Sequence, residues 1–289
     1  MIIVKTIEQT REVVRGWKAE GKTVGLCPTM GYLHEGHLSL MTASKKDNDK
    51  TVATVFVNPM QFGPTEDLAK YPRDLERDCR MMEAEGVDMV FAPEAEEMYA
   101  DDFCTFVDMT GVSEGLCGRS RPVMFRGVCT VLTKLINIVC PDRMYLGKKD
   151  AQQLAVVRRM VRDLDFDLEV VGCPTVREED GLAKSSRNTY MNPEQRQASR
   201  VLSRSLRAAQ DAIAGGQTDS GQLTRLITKK LKEEPMSDID YVEIVDGLSM
   251  QPVEKVRDGD LVAIAVRIGT TRLIDNFIVG DPLIETQQS

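Results

Sequence analysis

Histidine is nearly absent from this chain, with two in 289 residues. No third histidine exists to complete a histidine-rich metal site, so a zinc centre would need carboxylates or cysteines as well. No segment approaches membrane-spanning length, and the opening Met1-Ile2-Ile3-Val4-Lys5 lacks the long apolar run of a signal peptide, so a cytoplasmic protein without a membrane partner is expected. The seven cysteines include no Cys-x-x-Cys pair; a scattered, odd set of this kind reads as reduced core thiols. Neither Gly-x-x-x-x-Gly-Lys-Ser/Thr nor Gly-x-Gly-x-x-Gly occurs, which weighs against ordinary kinases and dehydrogenases. There is no basic excess: 37 Lys and Arg face 45 Asp and Glu, and a net charge of −8 argues against a nucleic-acid partner. Repeats and low-complexity segments are also missing.

What is present is an ordinary globular composition, 42% hydrophobic and 28% charged, long enough for one large domain or, more naturally, two. Both histidines fall in one stretch, Pro28-Thr29-Met30-Gly31-Tyr32-Leu33-His34-Glu35-Gly36-His37-Leu38. A short apolar strand, Thr23 to Leu26, precedes it, and Leu38, Leu40 and Met41 open the apolar side of a helix. Gly31 and Gly36 permit close backbone approach to a ligand. Three residues apart at a helix start, His34 and His37 project from one face beside unpaired N–H groups and the positive end of the dipole. That arrangement suits phosphate, and two imidazoles add directed donors for charge that develops in a transition state. The bland alternative is a pair of surface or core histidines. The zinc alternative is weakened because the His-Glu-x-x-His signature has one more residue between its histidines.

The rest of the chain alternates. Helices are expected at Ile7–Glu20, from His37 to about Asp47, at Asp74–Glu85, Gly127–Val139 and Ala151–Leu164. Strands are expected at Lys50–Val57, Asp88–Ala92, Phe103–Met109, Arg143–Leu146 and Asp167–Cys173. Alternation of this kind predicts a doubly wound, Rossmann-like parallel sheet, with ligands at the carboxyl ends of its strands. The pattern changes after about Val176. Asn192-Pro193 opens a long helix to Ala214, a second helix covers Ser220–Glu234, and strands follow at Ile239–Val245, Asp260–Ile268 and Thr271–Val279. The expected division is 1–176 for an α/β domain and 177–289 for a smaller α+β domain, with Pro174–Asn192 as the hinge.

Three further loops follow predicted strands. In Asn58-Pro59-Met60-Gln61, Gln61 offers an amide that both donates and accepts. In Gly147-Lys148-Lys149-Asp150, a lysine at a helix start reaches phosphate, and Asp150 either caps the helix or binds a ribose hydroxyl. In Gly181-Leu182-Ala183-Lys184-Ser185-Ser186-Arg187-Asn188, two hydroxyls between two cations form a clamp for a triphosphate, although serines of polar loops are more often turn formers. Basic islands at Arg119, Arg121 and Arg126, at Lys148 and Lys149, and at Arg177, Lys184 and Arg187 suggest a small anionic substrate, with solvated surface charge as the alternative for any one of them.

His34-Glu35-Gly36-His37 followed by Lys184-Ser185-Ser186-Arg187 resembles the HxGH and KMSKS-type pair of the nucleotidylyltransferase superfamily. The longer strings Pro28–Leu40, Phe56–Phe62 with Tyr71-Pro72-Arg73, Gly147–Leu154, Val176–Glu178 with Gly181–Asn188, and Arg272–Asn276 resemble the pantoate–β-alanine ligase (pantothenate synthetase) family, in order over nearly the whole chain. The resemblance implies an enzyme that uses ATP and Mg²⁺ to activate pantoate as an adenylate and passes the acyl group to β-alanine, releasing AMP and pyrophosphate. It implies that Met30, Gly31, Tyr32, Leu33, His34, Glu35, Gly36 and His37 bind ATP together with Gly147, Lys148, Lys149, Asp150, Val176, Lys184, Ser185, Ser186 and Arg187. His34, His37, Lys149 and Arg187 would be catalytic, with His37 as proton donor, Asp150 towards ribose and Val176 against adenine through its backbone. Gln61 and Gln153 would hold pantoate, and Gln61 also β-alanine. The second domain would act as a lid, and the assembly would be a homodimer.

The chain departs from the family pattern twice. Where the family usually reads Arg-Pro-Gly-His-Phe, this sequence has Arg121-Pro122-Val123-Met124-Phe125, and a thioether cannot hydrogen-bond as imidazole does. Lys184 replaces the usual Met or Leu before the two serines and adds a cation. The competing readings are another HxGH nucleotidylyltransferase that stops at a nucleotide product, and a non-catalytic nucleotide-binding regulator.

Overall fold

The computed structural model describes residues 1–64 and 66–281. Its elements run β1 (Ile2–Val4), α1 (Ile7–Ala19), β2 (Val24–Thr29), α2 (Glu35–Asp47), β3 (Lys50–Val55), α3 (Leu75–Ala84), β4 (Met89–Phe91), α4 (Ala95–Met98), α5 (Leu116–Ser120) and α6 (Met124–Val139). They continue through β5 (Arg143–Gly147), α7 (Ala151–Asp163), β6 (Glu169–Cys173), α8 (Pro193–Ala198), α9 (Val201–Ala214), α10 (Ser220–Leu231), β7 (Ser237–Val245), β8 (Leu261–Ile268) and β9 (Thr271–Ile278). The chain divides into two units: Met1–Thr110, Arg121–Lys148 and Val156–Pro174 form the first; Gly111–Ser120, Lys149–Ala155 and the residues from Thr175 onward form the second.

The first unit carries a six-stranded sheet in the order β1-β4-β3-β2-β5-β6, and every pairing in it is parallel. From β2 the chain steps one way through β3 to β4 and later the other way from β5 to β6. Crossovers of one hand therefore place α2 and α3 on one face and α1, α6 and α7 on the other. In agreement, α1 packs on α6, and α2 on α3. The order reverses between β2 and β5, which are paired at Gly25↔Arg143 and Leu26↔Met144. That reversal point is where doubly wound sheets bind ligands.

Strands buried on both faces read as continuous apolar runs, and Val24, Leu26, Cys27, Val52, Ala53, Val90, Met144 and Tyr145 are all inaccessible. One core cluster joins Cys27, Leu40, Met41, Met82, Val90 and Tyr145. Helix α1 starts with a capping box in which Thr6 Oγ1 accepts from Gln9 N. Helix α6 is apolar almost all round, with Val128, Cys129, Leu132, Leu135, Ile136 and Val139 buried. It is a core helix rather than a membrane span; among the described residues no helix is long and apolar enough to cross a membrane.

The second unit has an antiparallel sheet in the order β7-β8-β9, with helices α9 and α10 packed together. Leu202, Leu206, Leu223, Ile227, Leu231, Val262, Ile264 and Val266 form its core. Strands β8 and β9 make a hairpin paired from Ile268↔Thr271 to Leu261↔Ile278. Asn192 caps α8 through Gln195 N at 2.8 Å with Pro193 in the first turn, and Asp219 caps α10 through Gln222 N at 2.7 Å.

Three local expectations are corrected. The long helix from Pro193 is interrupted after Ala198 by a tightened turn in which Leu202 N reaches Ser199 O and Ser199 Oγ donates to Arg196 O at 2.7 Å. Serine hydroxyls that bond back onto the preceding turn bend helices in this way. Phe103–Met109 is extended chain without ladder pairing. Its phenylalanines meet other rings edge to face instead, Phe103 with Tyr99 at 5.0 Å and with Phe106 at 5.6 Å, while Lys134 lies over Phe103 and Arg126 over Phe106. Of the cysteines, all free, Cys104 and Cys140 are exposed rather than in the core.

Candidate active site

In the first unit the histidine loop leaves the carboxyl end of β2 and enters α2 at the point where strand order reverses. Its backbone is bent by two consecutive left-handed residues, Gly31 (φ 82°) and Tyr32 (φ 51°). A side chain at Gly31 would stand 2.9 Å from Val55 Cγ1 and 3.0 Å from Asp78 Oδ2, so glycine is required for space as well as for conformation. Asp78, inaccessible on α3, holds the bend: Tyr32 N donates to its Oδ2 at 2.6 Å and Leu33 N to its Oδ1 at 2.8 Å. Arg77 braces the same turn by donating to Leu33 O at 2.9 Å. Burial pushes the Asp78 carboxyl above the usual carboxylate range, against the pull of those two N–H groups and Arg77.

His34 is the N-cap of α2, and both imidazoles take part in the cap. Gly36 N donates to His34 Nδ1 at 3.1 Å, and His34 N donates to His37 Nδ1 at 3.3 Å. This is the capping-box exchange with imidazole nitrogens in place of the usual oxygens. An acceptor Nδ1 carries no proton, so each neutral ring holds its N–H at Nε2. The ring centroids are 4.0 Å apart with planes tilted by 33°. Two N–H donors thus stand together at a helix N-terminus, where partial positive charge already favours an anion.

The adjacent strands contribute further groups. Gly147 ends β5, and Lys148 begins the tight turn after it. Beyond β3, Pro59–Gln61 forms a single 3₁₀ turn capped by Asn58. Buried Asn58 donates to Gln61 Oε1 at 3.1 Å and to Gly127 O at 3.1 Å, and its Oδ1 accepts from Tyr99 OH at 2.8 Å. Its amide orientation is thereby fixed, and so is that of Gln61, whose Nε2 is turned to Met30 Sδ at 3.2 Å. Gly127 makes this possible, because any side chain there would overlap the Met60 carbonyl. Arg121 donates to Glu66 through Nε at 2.8 Å, to Gln61 O at 3.3 Å and to Met124 Sδ at 2.6 Å. The buried thioether of Met124 is the acceptor at this position.

In the second unit, Lys149 and Asp150 complete the tight turn before α7, with Lys149 Nζ 3.6 Å from Asp150 Oδ1. Gln153 is half-buried in the first turn of α7. Its neighbour Gln152 is buried and structural, accepting from Cys117 N at 2.9 Å and donating to Val112 O and Gly115 O. Val176 to Lys184 form a small hairpin. Lys184 N donates to Val176 O at 3.0 Å, Arg177 bridges to Ala183, and Gly181 (φ 89°) makes the turn.

Ser185 then caps a 3₁₀ turn, Ser186–Tyr190, by accepting from Arg187 N at 3.3 Å, while Asn188 Nδ2 ties the turn to Ala183 O. Ser186 is buried. Lys184 Nζ is paired with Glu178 at 3.1 Å, so its charge is partly balanced. Asp180 accepts from Arg196 at 2.7 and 3.1 Å and lies 3.5 Å from Arg200. The Arg196 donors, outweighing burial, hold its carboxyl below the usual range.

Several of the basic islands are internally neutralised. Arg119 pairs with Glu243, Arg121 with Glu66, and Arg177 with Asp275, so these three are structural cations. Sequence reasoning passed over Asp78 and Gln152, took Asn58 only as part of a turn, and read Arg177 as a cation for an anionic substrate. The partners that define these roles are distant in the chain: Asp78 meets Tyr32, Asn58 meets Gly127, Arg177 meets Asp275 and Gln152 meets Cys117.

A parallel doubly wound sheet with paired imidazoles capping the helix at its point of reversal defines a nucleotide-handling α/β enzyme. The profile of the family described as Pantoate-beta-alanine ligase matches residues 2–278, and the chain belongs to that family. It is 56% identical over 277 residues to pantothenate synthetase of Enterococcus faecalis, covering 96% of this chain and 98% of that one. The pantothenate synthetase of Clostridium acetobutylicum is 53% identical over 277 residues, with 96% and 99% covered. Among solved structures, pantothenate synthetase from Thermus thermophilus superposes with a TM-score of 0.92 at 45% identity, over 96% of this chain and 99% of that one. Pantoate-beta-alanine ligase from Francisella tularensis, solved with β-γ ATP and β-alanine, superposes with a TM-score of 0.80 at 30% identity, covering 96% and 97%.

Proposed function

We propose that the chain condenses pantoate with β-alanine through an enzyme-bound pantoyl adenylate. The ATP-dependent ligation follows from membership of the family. The observation that carries the route and the residue roles is the imidazole cap of α2. A pantoate carboxylate oxygen attacks the α-phosphorus of ATP, and the bond to pyrophosphate breaks. The amine of β-alanine then attacks the activated carbonyl carbon; the acyl–oxygen bond breaks, AMP leaves, and the amine loses a proton.

With Nδ1 of each ring held by a backbone N–H, His34 and His37 direct Nε2–H hydrogen bonds at the phosphates and stabilise charge as it builds on oxygen. The proton is shared and not transferred, because a neutral ring that gave it up would become an imidazolate. Met30 to Leu33, Glu35, Gly36, Gly147 and Lys148 line the ATP site within the first unit. From the second unit, Lys149 and Arg187 offset phosphate charge, Asp150 meets the ribose, Val176 the adenine, and Lys184, Ser185 and Ser186 the triphosphate. Gln61, oriented by Asn58, holds pantoate and then β-alanine, and Gln153 holds pantoate. None of these steps requires a cysteine.

Mg²⁺ belongs to the same reading. Among the described residues no group of three or more His, Cys, Asp or Glu side chains could hold a metal. Bound together with ATP, the ion would offset phosphate charge. A cytoplasmic homodimer completes the reading, and sedimentation tests the dimer.

Exchange of labelled pyrophosphate into ATP is the direct test. Exchange that needs pantoate, followed by AMP release on adding β-alanine, is expected. In His37→Ala the exchange should fall by about 10²–10³-fold, the cost of one well-placed transition-state donor. Exchange driven only by a different acid would remove pantoate from the reading, and full turnover in His37→Ala would remove the imidazole.

A further inference from the structure

Two consecutive residues of β9 hold, by separate hydrogen bonds, both segments of the second unit that the proposed function gives to ATP. Asp275 and Asn276 are paired in register with Ile264 and Ala263 of the central strand β8, and both are buried, at 1% and 7% exposure. Asp275 receives the Arg177 guanidinium as a two-pronged pair, Nη1 to Oδ2 at 2.8 Å and Nη2 to Oδ1 at 2.9 Å. Its Oδ1 also accepts from Asn276 N at 2.8 Å. The same guanidinium donates to Gly181 O at 3.0 Å and to Asn276 O at 3.4 Å. Arg177 therefore fastens the Val176–Lys184 hairpin to β9 at its turn. The side chain of Asn276 is engaged elsewhere, with Nδ2 donating to Lys149 O at 2.7 Å.

We propose that Asp275 and Asn276 are positioning residues for the nucleotide: one dipeptide sets the Lys149-Asp150 turn and the hairpin leading into Ser185-Ser186-Arg187 in register with each other. The inference rests on the ATP reading given above. A buried, fully hydrogen-bonded ion pair also stabilises a fold. Fold stabilisation alone does not explain why the adjacent amide is committed to a single carbonyl in a separate segment. Lys149 O is not part of the sheet, and a strand needs no bond to it. The geometry is that of a spacer: β9 is rigid, and displacement of a group by about 1 Å in a phosphoryl-transfer site costs roughly 100-fold in rate.

The test uses the full-length protein. Asn276→Asp keeps the shape of the side chain but cannot donate to Lys149 O; Arg177→Lys keeps the charge but loses the fork. Pantoate-dependent pyrophosphate–ATP exchange is measured for the unaltered protein and both variants, with the KM for ATP, the KM for β-alanine and the thermal midpoint. The expected result is exchange in the unaltered protein, and in each variant an ATP KM raised by about tenfold with exchange lowered 10- to 100-fold. The β-alanine KM should stay within twofold.

Asn276→Ala serves as a second route if Asn276→Asp fails to fold. A folded variant that keeps exchange and ATP KM within twofold of the parent overturns the inference. So does a variant whose losses are equal for every substrate and scale with its fall in thermal midpoint, the signature of a purely structural role. Absence of exchange in the unaltered protein would instead overturn the adenylate reading, a distinguishable failure.

Discussion

The histidine loop and the Val176–Arg187 segment are both proposed to meet ATP, yet they are held by different physics. The first is fixed by main-chain groups: two N–H bonds to Asp78, two N–H bonds to imidazoles, and a left-handed bend that only glycine fits. The second is fixed by guanidinium–carboxylate pairs, Arg177 with Asp275 and Arg196 with Asp180. Main-chain hydrogen bonds to a buried acceptor are insensitive to salt. Of the two ion pairs, Arg196–Asp180 is partly exposed and is screened by salt, whereas Arg177–Asp275 is buried and is screened much less. The acid responses of the two regions also have opposite signs, because burial dominates at Asp78 and the Arg196 donors dominate at Asp180.

The sharpest way to break this contrast is Asp78→Asn. An amide offers one acceptor oxygen to two N–H groups and turns its own donors towards one of them. A loss of about 1–3 kcal/mol in urea unfolding is expected, the penalty of an unsatisfied buried donor, together with a large fall in pyrophosphate exchange as Gly31–Leu33 loosens. Unchanged exchange would mean that the loop is held by something other than Asp78.

A second, smaller effect sharpens the comparison through pH. The folded-state value of Asp180 is depressed, so its stabilisation is present above the ordinary carboxylate value of 3.8 and is lost as pH falls through the depressed one. The folded-state value of Asp78 is raised, so stability at that site declines as pH rises from 3.8 towards the raised value. In urea titrations between neutral pH and pH 3, the stability gap between the parent protein and Asp180→Asn should shrink, from about 0.5–1 kcal/mol at a partly exposed pair. The gap to Asp78→Asn should widen over the same range. Gaps that move in the same direction would erase the distinction between the regions.

The smallest expected change is Met124→His, which installs the imidazole expected there from the family resemblance. Arg121 Nη1 exchanges a thioether acceptor for a ring nitrogen, so stability should move by at most about 1 kcal/mol, the worth of one hydrogen bond. Steady-state turnover should change only a few-fold. A much larger gain in turnover would show that the 121–124 segment limits the reaction in this chain.

What could be read from the sequence follows the same division. The strand-loop-helix around His34 and His37, the parallel alternation and the strands β8 and β9 were legible because the signals are local: periodicity, caps, glycine at turns. Gln61 was legible for its loop position. The functions of Gln152 and Gln153 are not separable by sequence, since both sit in the first turn of one helix and only burial tells them apart. β1 is three residues long, too short for a pattern, and exists because it pairs with β4. The strand expected at Phe103–Met109 had β-forming residues but no ladder partner; their rings pack on one another instead. Arg177, Asp275 and Asn276 belong to a network set by tertiary contact, and charge in the sequence could not distinguish a ligand-binding cation from a fastening one.

The pair of rings at the start of α2 has a spectroscopic consequence. With two histidines in the whole chain, every imidazole resonance in a proton or nitrogen NMR spectrum reports on this one loop. At a centroid separation of 4.0 Å each ring lies in the ring current of the other. The protein therefore carries an intrinsic probe of two imidazoles, readable in the proton spectrum without a label, whose shifts should move on adding nucleotide, pyrophosphate or AMP if the proposed function holds.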